Sequence, residues 1–231
     1  MIKYPKTPRM PSVLDSFDDW RKHTVVVSEK LDGANVAVSF DGPSITLQSR
    51  GHVLRGGPRE RQFDLFKQWA YTHHDILFGV IGSRYMIFGE WLYAKHRIFY
   101  DALPDYFVEY DVFDKEEGLF LSTDLRRILL KPLGLPSAPI LYHGVFGKVS
   151  NFARYISPSN FKTRDWKKHF TGSMNGTDDS IMMEGVYVKI ETASQVVGRF
   201  KLPRPDFEKL RVDDDDWLRR PIVPNRCKTS P

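Results

Sequence analysis

The segment Ser28-Glu29-Lys30-Leu31-Asp32-Gly33-Ala34-Asn35 sits between two β-forming runs, Thr24 to Val27 and Val36 to Phe40. A lysine at the end of an apolar strand, beside a carboxylate and a glycine, is placed for partial desolvation, which favours the neutral amine over the ammonium. Only the neutral amine is a nucleophile. Lys30 is therefore the candidate nucleophile of a catalytic turn, with Asp32 beside it. Lys-x-Asp-Gly is by itself also an ordinary surface turn, so the reading depends on partner groups elsewhere in the chain. These follow in a fixed order: Ser49-Arg50-Gly51, Phe88-Gly89-Glu90-Trp91, Val108-Glu109-Tyr110-Asp111, Glu184-Gly185-Val186-Tyr187-Val188-Lys189 and Arg199-Phe200-Lys201.

The elements that must position these groups are mostly strands. Residues 24–50 predict an antiparallel meander, with Val36, Val38 and Phe40 alternating against Ala37 and Ser39 before the Asp41-Gly42 turn. The spacing of Phe63, Phe66, Trp69, Ala70, His73 and Leu77 predicts one helix from Pro58 to about Gly79. Tyr85 to Leu92 and Tyr106 to Phe113 predict two aromatic-rich strands, joined by Ala94 to Asp105. Ser122 or Thr123 caps a helix through Leu125, Ile128 and Leu129 that Pro132 and Gly134 stop. One or two helices are expected around Phe152 to Ile156 and Phe161 to Phe170, then a mobile polar loop, Thr171 to Ser180, and a strand Ile181 to Ile190.

Parity along these strands sorts the candidate groups. Arg199 and Lys201 share a face, whereas Glu184 and Lys189 have opposite parity, so a bulge or twist intervenes or Lys189 acts less directly. Tyr110 alternates with Val108 and Val112, a core pattern, while Glu109 and Asp111 face the other way. His73-His74-Asp75 reads as a surface group, because adjacent helical residues point to different faces. His96 reads as structural, and Asp213 to Asp216 as a solvated turn before Trp217.

The 231 residues, 41% hydrophobic, suit one large domain with a sizeable core. The expected division is an arm over 1–23, reaching Val13, Leu14 and Phe17 and packed on the core, a catalytic domain over 24–205 and a short tail over 206–231. A net charge of +5 permits a polyanionic partner. The single cysteine, Cys227, excludes an internal disulfide and a cysteine-cluster zinc site, and favours a reducing, cytoplasmic setting. No stretch is apolar enough to span a membrane.

The ordered motifs resemble the covalent nucleotidyltransferases, the ligases and capping enzymes that link a nucleoside monophosphate to a lysine. More narrowly, they resemble the RNA ligase family of the phage RNA ligase 2 type. Glu29 directly precedes the lysine, and Gly89-Glu90-Trp91-Leu92-Tyr93-Ala94-Lys95-His96 is followed by Leu103-Pro104-Asp105-Tyr106-Phe107 and a Tyr-Asp pair. The fold this implies is α+β: a largely antiparallel-sheet, ATP-grasp-like nucleotidyltransferase core with flanking helices. There is no OB domain, since only 30 residues follow Lys201.

The resemblance also implies an activity and roles. Lys30 would take AMP from ATP, pass it to an RNA 5′-phosphate, and a 3′-hydroxyl would displace it to close the strand. Glu29 and Tyr110 would lie around adenine, and Arg50 and Glu90 at the ribose. Asp32, Asp111 and Glu184 would organise metal or substrate, with Glu90, Asp111 and Glu184 as ligands of Mg²⁺, or Mn²⁺. Lys189, Arg199 and Lys201 would address the phosphates. Arg199 stands where these ligases commonly have lysine, and the C-terminal helical domain of the phage enzyme has no counterpart. A monomer is expected, with a helper protein in place of that domain.

RNA contacts would then come from Lys3, Lys6 and Arg9, from Arg55 and Arg59, and from Lys162, Arg164, Lys167 and Lys168 around Trp166. A DNA ligase or a capping guanylyltransferase would share the first step and differ in nucleotide and acceptor. A non-catalytic nucleic-acid-binding module would have no need of the lysine and both glutamates.

Overall fold

The computed structural model describes residues 1–10, 22–145, 149–210 and 221–228. The expected packing of Val13, Leu14 and Phe17, and the turn at Asp213 to Asp216 before Trp217, lie outside these described residues. The strands are β1 (Thr24–Lys30), β2 (Ala34–Asp41), β3 (Ser44–Ser49), β4 (Tyr85–Trp91), β5 (Phe107–Asp114), β6 (Leu119–Phe120), β7 (Ile140–Val145), β8 (Gly185–Glu191) and β9 (Val196–Pro203). They form two antiparallel sheets, ordered β7-β1-β8-β9 and β3-β2-β4-β5-β6. The α+β class expected from the sequence is the class observed.

The meander expected over 24–50 is divided between the sheets. β2 pairs with β3 and β4, whereas β1 pairs with β7 and β8. Leu31–Gly33 is therefore a crossing from one sheet to the other, and the nucleophile candidate stands at its start. A side chain at Gly33 would lie 2.7 Å from both Leu92 Cδ2 and the Trp91 carbonyl oxygen, so this close approach requires glycine.

Each sheet buries one face. Val25, Val27, Val186, Val188, Ile190 and Phe200 pack with Phe152 and Met183. On the second sheet Val36, Val38, Phe40, Ile87 and Val112 pack against three helices, α1 (Asp64–Thr72), α2 (His74–Ile81) and α3 (Thr123–Leu130), through Phe66, Ala70, Leu77, Ile81 and Leu130. Each such side chain, wholly removed from water, contributes roughly 1.5–3 kcal/mol. The opposite faces of the two sheets enclose a cleft with polar residues on its wall, and Ala37, Met86 and Phe88 form a smaller apolar cluster on that side of the second sheet.

Three local expectations are revised. The single helix over 58–79 is a 3₁₀ turn, Pro58–Phe63, followed by α1 and α2, broken at His73, whose φ and ψ are −99° and 13°. The break lets Leu77 and Ile81 reach the core that Phe66 and Ala70 already fill. β7 forms in a stretch to which the sequence assigned no element, where pairing with β1 supplies the partner. The chain over 161–170 holds only one helical turn, α4 (Trp166–His169). The strand expected from Ile181 begins at Gly185. Within the short tail, residues 221–228 are hydrogen-bonded along the 93–103 loop.

Lys162, expected to be an open cation, is buried. Its ammonium donates to the Asp178 carbonyl at 3.0 Å and lies 3.8 Å from the Trp166 ring centroid. Lys167 pairs with Asp179 and Lys168 with Asp165, so much of this cluster's charge is locally neutralised. Burial pushes the Lys162 ammonium down to about 8. Above that pH the unfolded chain, titrating near 10.4, still binds a proton that the folded chain has released, so this residue makes stability rise with pH between the two values. Urea denaturation from pH 7.5 to 10 should show that rise in the native protein and a flatter profile in Lys162→Met. Equal slopes would contradict the buried placement.

Candidate active site

β1 and β8 pair with Lys30 opposite Gly185, so Glu184, one residue before β8, faces the end of β1. Lys30 Nζ is 2.6 Å from Glu184 Oε2. Strand parity does separate Glu184 from Lys189, but Glu184 lies outside the strand. The Arg204 N–H fixes its carbonyl at 2.9 Å. Burial acts to lower the proton affinity of Lys30, yet Glu184, Glu90 and Asp32 outweigh it and hold the group above the usual lysine value. The resting group is thus an ammonium, not the neutral amine expected from its desolvated position. Burial pushes the Glu90 carboxyl up to about 8; Glu184 and Asp32 add to the effect and Lys30 opposes it. Glu90 Oε1 accepts from the Gly33 N–H at 3.1 Å, tying β4 to the crossing.

A bulge places two groups that simple alternation keeps apart. The β4–β5 register slips between Phe88, opposite Asp111, and Gly89, opposite Glu109, leaving Tyr110 without an opposing residue. As a result both Tyr110 and Asp111 line the cavity. The Tyr110 hydroxyl accepts from Asn35 Nδ2. Asp111 is completely buried, with Lys189 Nζ at 2.9 Å and an Arg199 amino group at 3.7 Å. Burial favours its protonated form, but Lys189 and Arg199 prevail and hold it below the usual carboxylate range.

The N-terminal arm completes this end of the cleft. The Tyr4 hydroxyl donates to Asp111 and lies 2.9 Å from the Tyr187 hydroxyl, which also meets Thr7 Oγ1 at 2.9 Å. Further along, the arm brackets Lys201: its N–H donates to the Pro8 carbonyl at 3.0 Å, and its carbonyl accepts from the Met10 N–H at 3.2 Å. The arm was expected to pack on the core; its entry into the cleft through Tyr4 and Thr7 had no sequence signal beyond an aromatic in a proline-flanked segment.

A cavity of about 540 Å³ gathers Lys30, Arg50, Glu90, Tyr110, Asp111, Tyr187, Lys189 and Lys201 around its wall. Burial, reinforced by the Lys30 ammonium, pushes the Lys201 amine below its ordinary value. Arg199 is not part of this wall. Its guanidinium carbon lies 4.1 Å from the Phe120 ring centroid and 5.1 Å from that of Tyr4, so it supports Asp111 from behind. Asp111 is likewise committed to cations and is not open to a metal ion. Lys189 also donates to the Tyr110 carbonyl at 3.0 Å, which fixes it as a brace of the bulge.

Three further residues depart from their expected surroundings. Glu29 touches the cavity, but it alternates with Lys30, and its carboxylate accepts from Ser159 Oγ at 2.5 Å and Asn160 Nδ2 at 2.8 Å. That carboxylate is engaged by the 159–160 turn. Asp32 Oδ2 accepts from the Arg97 and Ile98 N–H groups, both at 2.7 Å, and so organises a loop. His96 is not a satisfied structural histidine: it lines the cavity and its Nε2 is buried without a hydrogen-bond partner among the described residues.

A lysine at the crossing between two antiparallel sheets, facing a cavity with carboxylates and cations on its wall, is the arrangement of the RNA ligase nucleotidyltransferase fold. The chain matches solved structures of Naegleria gruberi RNA ligase variants. One, with AMP and manganese, has TM-score 0.63 and 17% identity over 90% of this chain and 58% of that one. Another, with ATP and manganese, has TM-score 0.63 and 17% identity over 90% and 57%. This chain thus spans under two thirds of the length of the structures it matches. No curated protein sequence matches it. Residues 23–202 match the sequence model of the RNA ligase family, and the chain belongs to that family.

Removing a buried carboxylate that neutralises two cations strands their charge. Asp111→Ala should therefore cost roughly 3–5 kcal/mol of stability, whereas Tyr4→Phe, which loses one hydroxyl, should cost about 1–2 kcal/mol. Urea denaturation of the two variants measures both. A loss below about 1 kcal/mol for Asp111→Ala would remove it as the anchor of Lys189 and Arg199.

Proposed function

We propose that this chain is an ATP-dependent RNA ligase, joining 3′-hydroxyl and 5′-phosphate ends through lysyl-AMP and adenylated RNA. The observation that carries the reading is the half-buried Lys30 ammonium paired with Glu184 at the wall of a cavity of nucleotide size. In this reading Lys30 Nζ passes a proton to Glu184, whose carboxyl burial has made more basic. The amine then attacks the α-phosphorus of ATP, and the N–P bond forms as the P–O bond to pyrophosphate breaks. Lys201 and Arg50 take the phosphate charge, and the Tyr110 ring forms a wall for the base.

Glu90 and Glu184 supply hard oxygen donors with excess negative charge, which fits Mg²⁺ or Mn²⁺. Among the described residues no three such side chains stand close enough to hold a metal by themselves, so the ion would keep water and substrate phosphate as ligands. Such an ion would neutralise charge on the departing pyrophosphate. A 5′-phosphate oxygen of RNA next attacks the lysyl-AMP phosphorus and frees Lys30. The 3′-hydroxyl then attacks the activated 5′-phosphate, and AMP leaves with the electrons of the broken P–O bond. We read the enzyme as a cytoplasmic monomer, aided in sealing by a helper protein.

Incubation with ATP and a divalent cation should add one AMP to the protein, read by intact mass, and Lys30→Ala should abolish the adduct. The same adduct on Lys30→Ala would sink the assignment, and labelling from GTP in place of ATP, or sealing of nicked DNA but not RNA, would move the chain to another branch of the fold.

RNA contacts from Lys3, Lys6, Arg9 and Arg55 lie on exposed surface and go mainly to phosphates. Their strength falls steeply with salt because bound phosphates release counterions, whereas ATP sits in an enclosed site where screening is weaker. Across one salt series, joining of 5′-phosphorylated RNA should therefore fail well before lysyl-AMP formation. Parallel loss of the two activities would contradict this division.

A further inference from the structure

Residues 221–228 lie beyond the 23–202 segment that matches the family, yet they brace the loop that holds Asp32. Asn225 is the centre of the contact, with 1% of its surface exposed. Its Nδ2 donates to the Leu92 carbonyl at 2.7 Å and its Oδ1 accepts from the Tyr100 N–H at 2.9 Å. Its own N–H donates to the Tyr93 carbonyl at 2.8 Å, and its carbonyl accepts from the Tyr106 hydroxyl at 3.0 Å. The Arg226 N–H reaches the Tyr100 carbonyl at 2.9 Å, and the Lys95 N–H reaches the Val223 carbonyl at 2.8 Å. Every polar group of Asn225 is thus spent on the 92–106 segment.

That segment in turn fixes the catalytic turn from two sides. The Asp32 N–H donates to the Tyr100 hydroxyl at 2.9 Å, and the Asp32 carboxylate accepts from Arg97 and Ile98. Asp32 is two residues from Lys30, and the crossing between them admits little movement, because Gly33 is wedged against Leu92 and Trp91. A displacement of the loop is therefore transmitted to Lys30. His96, whose buried Nε2 on the cavity wall has no partner among the described residues, rides on the same loop.

We propose that Asn225 is a positioning residue for the reaction of Lys30, acting through Tyr100 and Asp32. Residues 221–228 are then part of the working site. The proposal rests on the lysyl-AMP reading above. An amide pinned at both ends sets the loop's position more sharply than apolar packing does, since each hydrogen bond has a preferred distance and direction. Reaction rates respond strongly to such placement, with about a 100-fold loss for an ångström of misalignment.

The test is single-turnover lysyl-AMP formation at saturating ATP by full-length native protein, Asn225→Ala, Tyr100→Phe and the double variant. A residue that only stabilises the fold lowers the amplitude, the fraction of competent molecules, and leaves the rate constant of those molecules unchanged. A positioning residue lowers the rate constant. We expect Asn225→Ala to slow it about tenfold or more, with the ATP concentration for half-saturation changed by less than about twofold. Tyr100→Phe should slow the same constant, and the double variant should be no slower than the slower single one, because both act through one chain of contacts. If Asn225→Ala does not fold, Tyr100→Phe alone decides: a native rate constant there overturns the proposal. A native rate constant with reduced amplitude in both variants overturns it as well, leaving the ligase reading intact. No AMP adduct on the native protein overturns both.

Discussion

The ion pair between Lys30 and Glu184 joins the two requirements of this site, a lysine enclosed enough to be selective and a charge balanced enough to be enclosed. A lysine drawn this far out of water is tolerated because a carboxylate stands 2.6 Å from its ammonium and others are near. The carboxylates are tolerated for the converse reason, and imperfectly: burial, reinforced by the acidic neighbours Glu184 and Asp32, pushes Glu90 up to about 8. The resting site therefore stores negative charge around one nucleophile. A divalent cation would offset that charge, and offsetting it would loosen the hold of Glu184 on the lysine proton.

A second cluster keeps the opposite wall rigid. Asp111 gathers Lys189, Arg199 and the Tyr4 hydroxyl, none of which can follow another conformation without exposing a buried charge. The bulge at Tyr110 makes this possible, because it turns a core-facing aromatic and its neighbouring acid into the same space. The result is a division of labour among cations that look alike in sequence: Lys201 and Arg50 face the cavity, Lys189 lines it while bound to Asp111 and the Tyr110 carbonyl, and Arg199 lies behind the wall. Both ends of the described chain enter the arrangement, Tyr4 at the Asp111 side and Asn225 behind Asp32.

Much of this was legible in the linear order of residues. The lysine turn, the glutamates at 90 and 184, the antiparallel strands around them and the capped helix after Ser122 follow from local chemistry: alternation, turn-forming glycine, a hydroxyl cap. Such signals depend on neighbours within a few positions and survive without knowledge of the fold. Membership of the RNA ligase family was legible for a related reason, since the order and spacing of short motifs are properties of the chain itself.

What only the tertiary structure decided were outcomes set by partners distant in sequence. β1 and β2 look like one hairpin, yet they divide between two sheets, and that division makes the cleft. Strand parity assigned Tyr110 and Asp111 to opposite faces, until a one-residue slip against β4 overruled it. Glu29 sits beside the nucleophile in sequence and turns its carboxylate to Ser159 and Asn160, over a hundred positions away. Lys30 was expected as a neutral amine from desolvation alone; its charge is set instead by Glu184, which pairing with β8 brings to it. The physical reason is common to all four: burial and electrostatics depend on separation in space, and sequence determines that separation only where the backbone is locally regular.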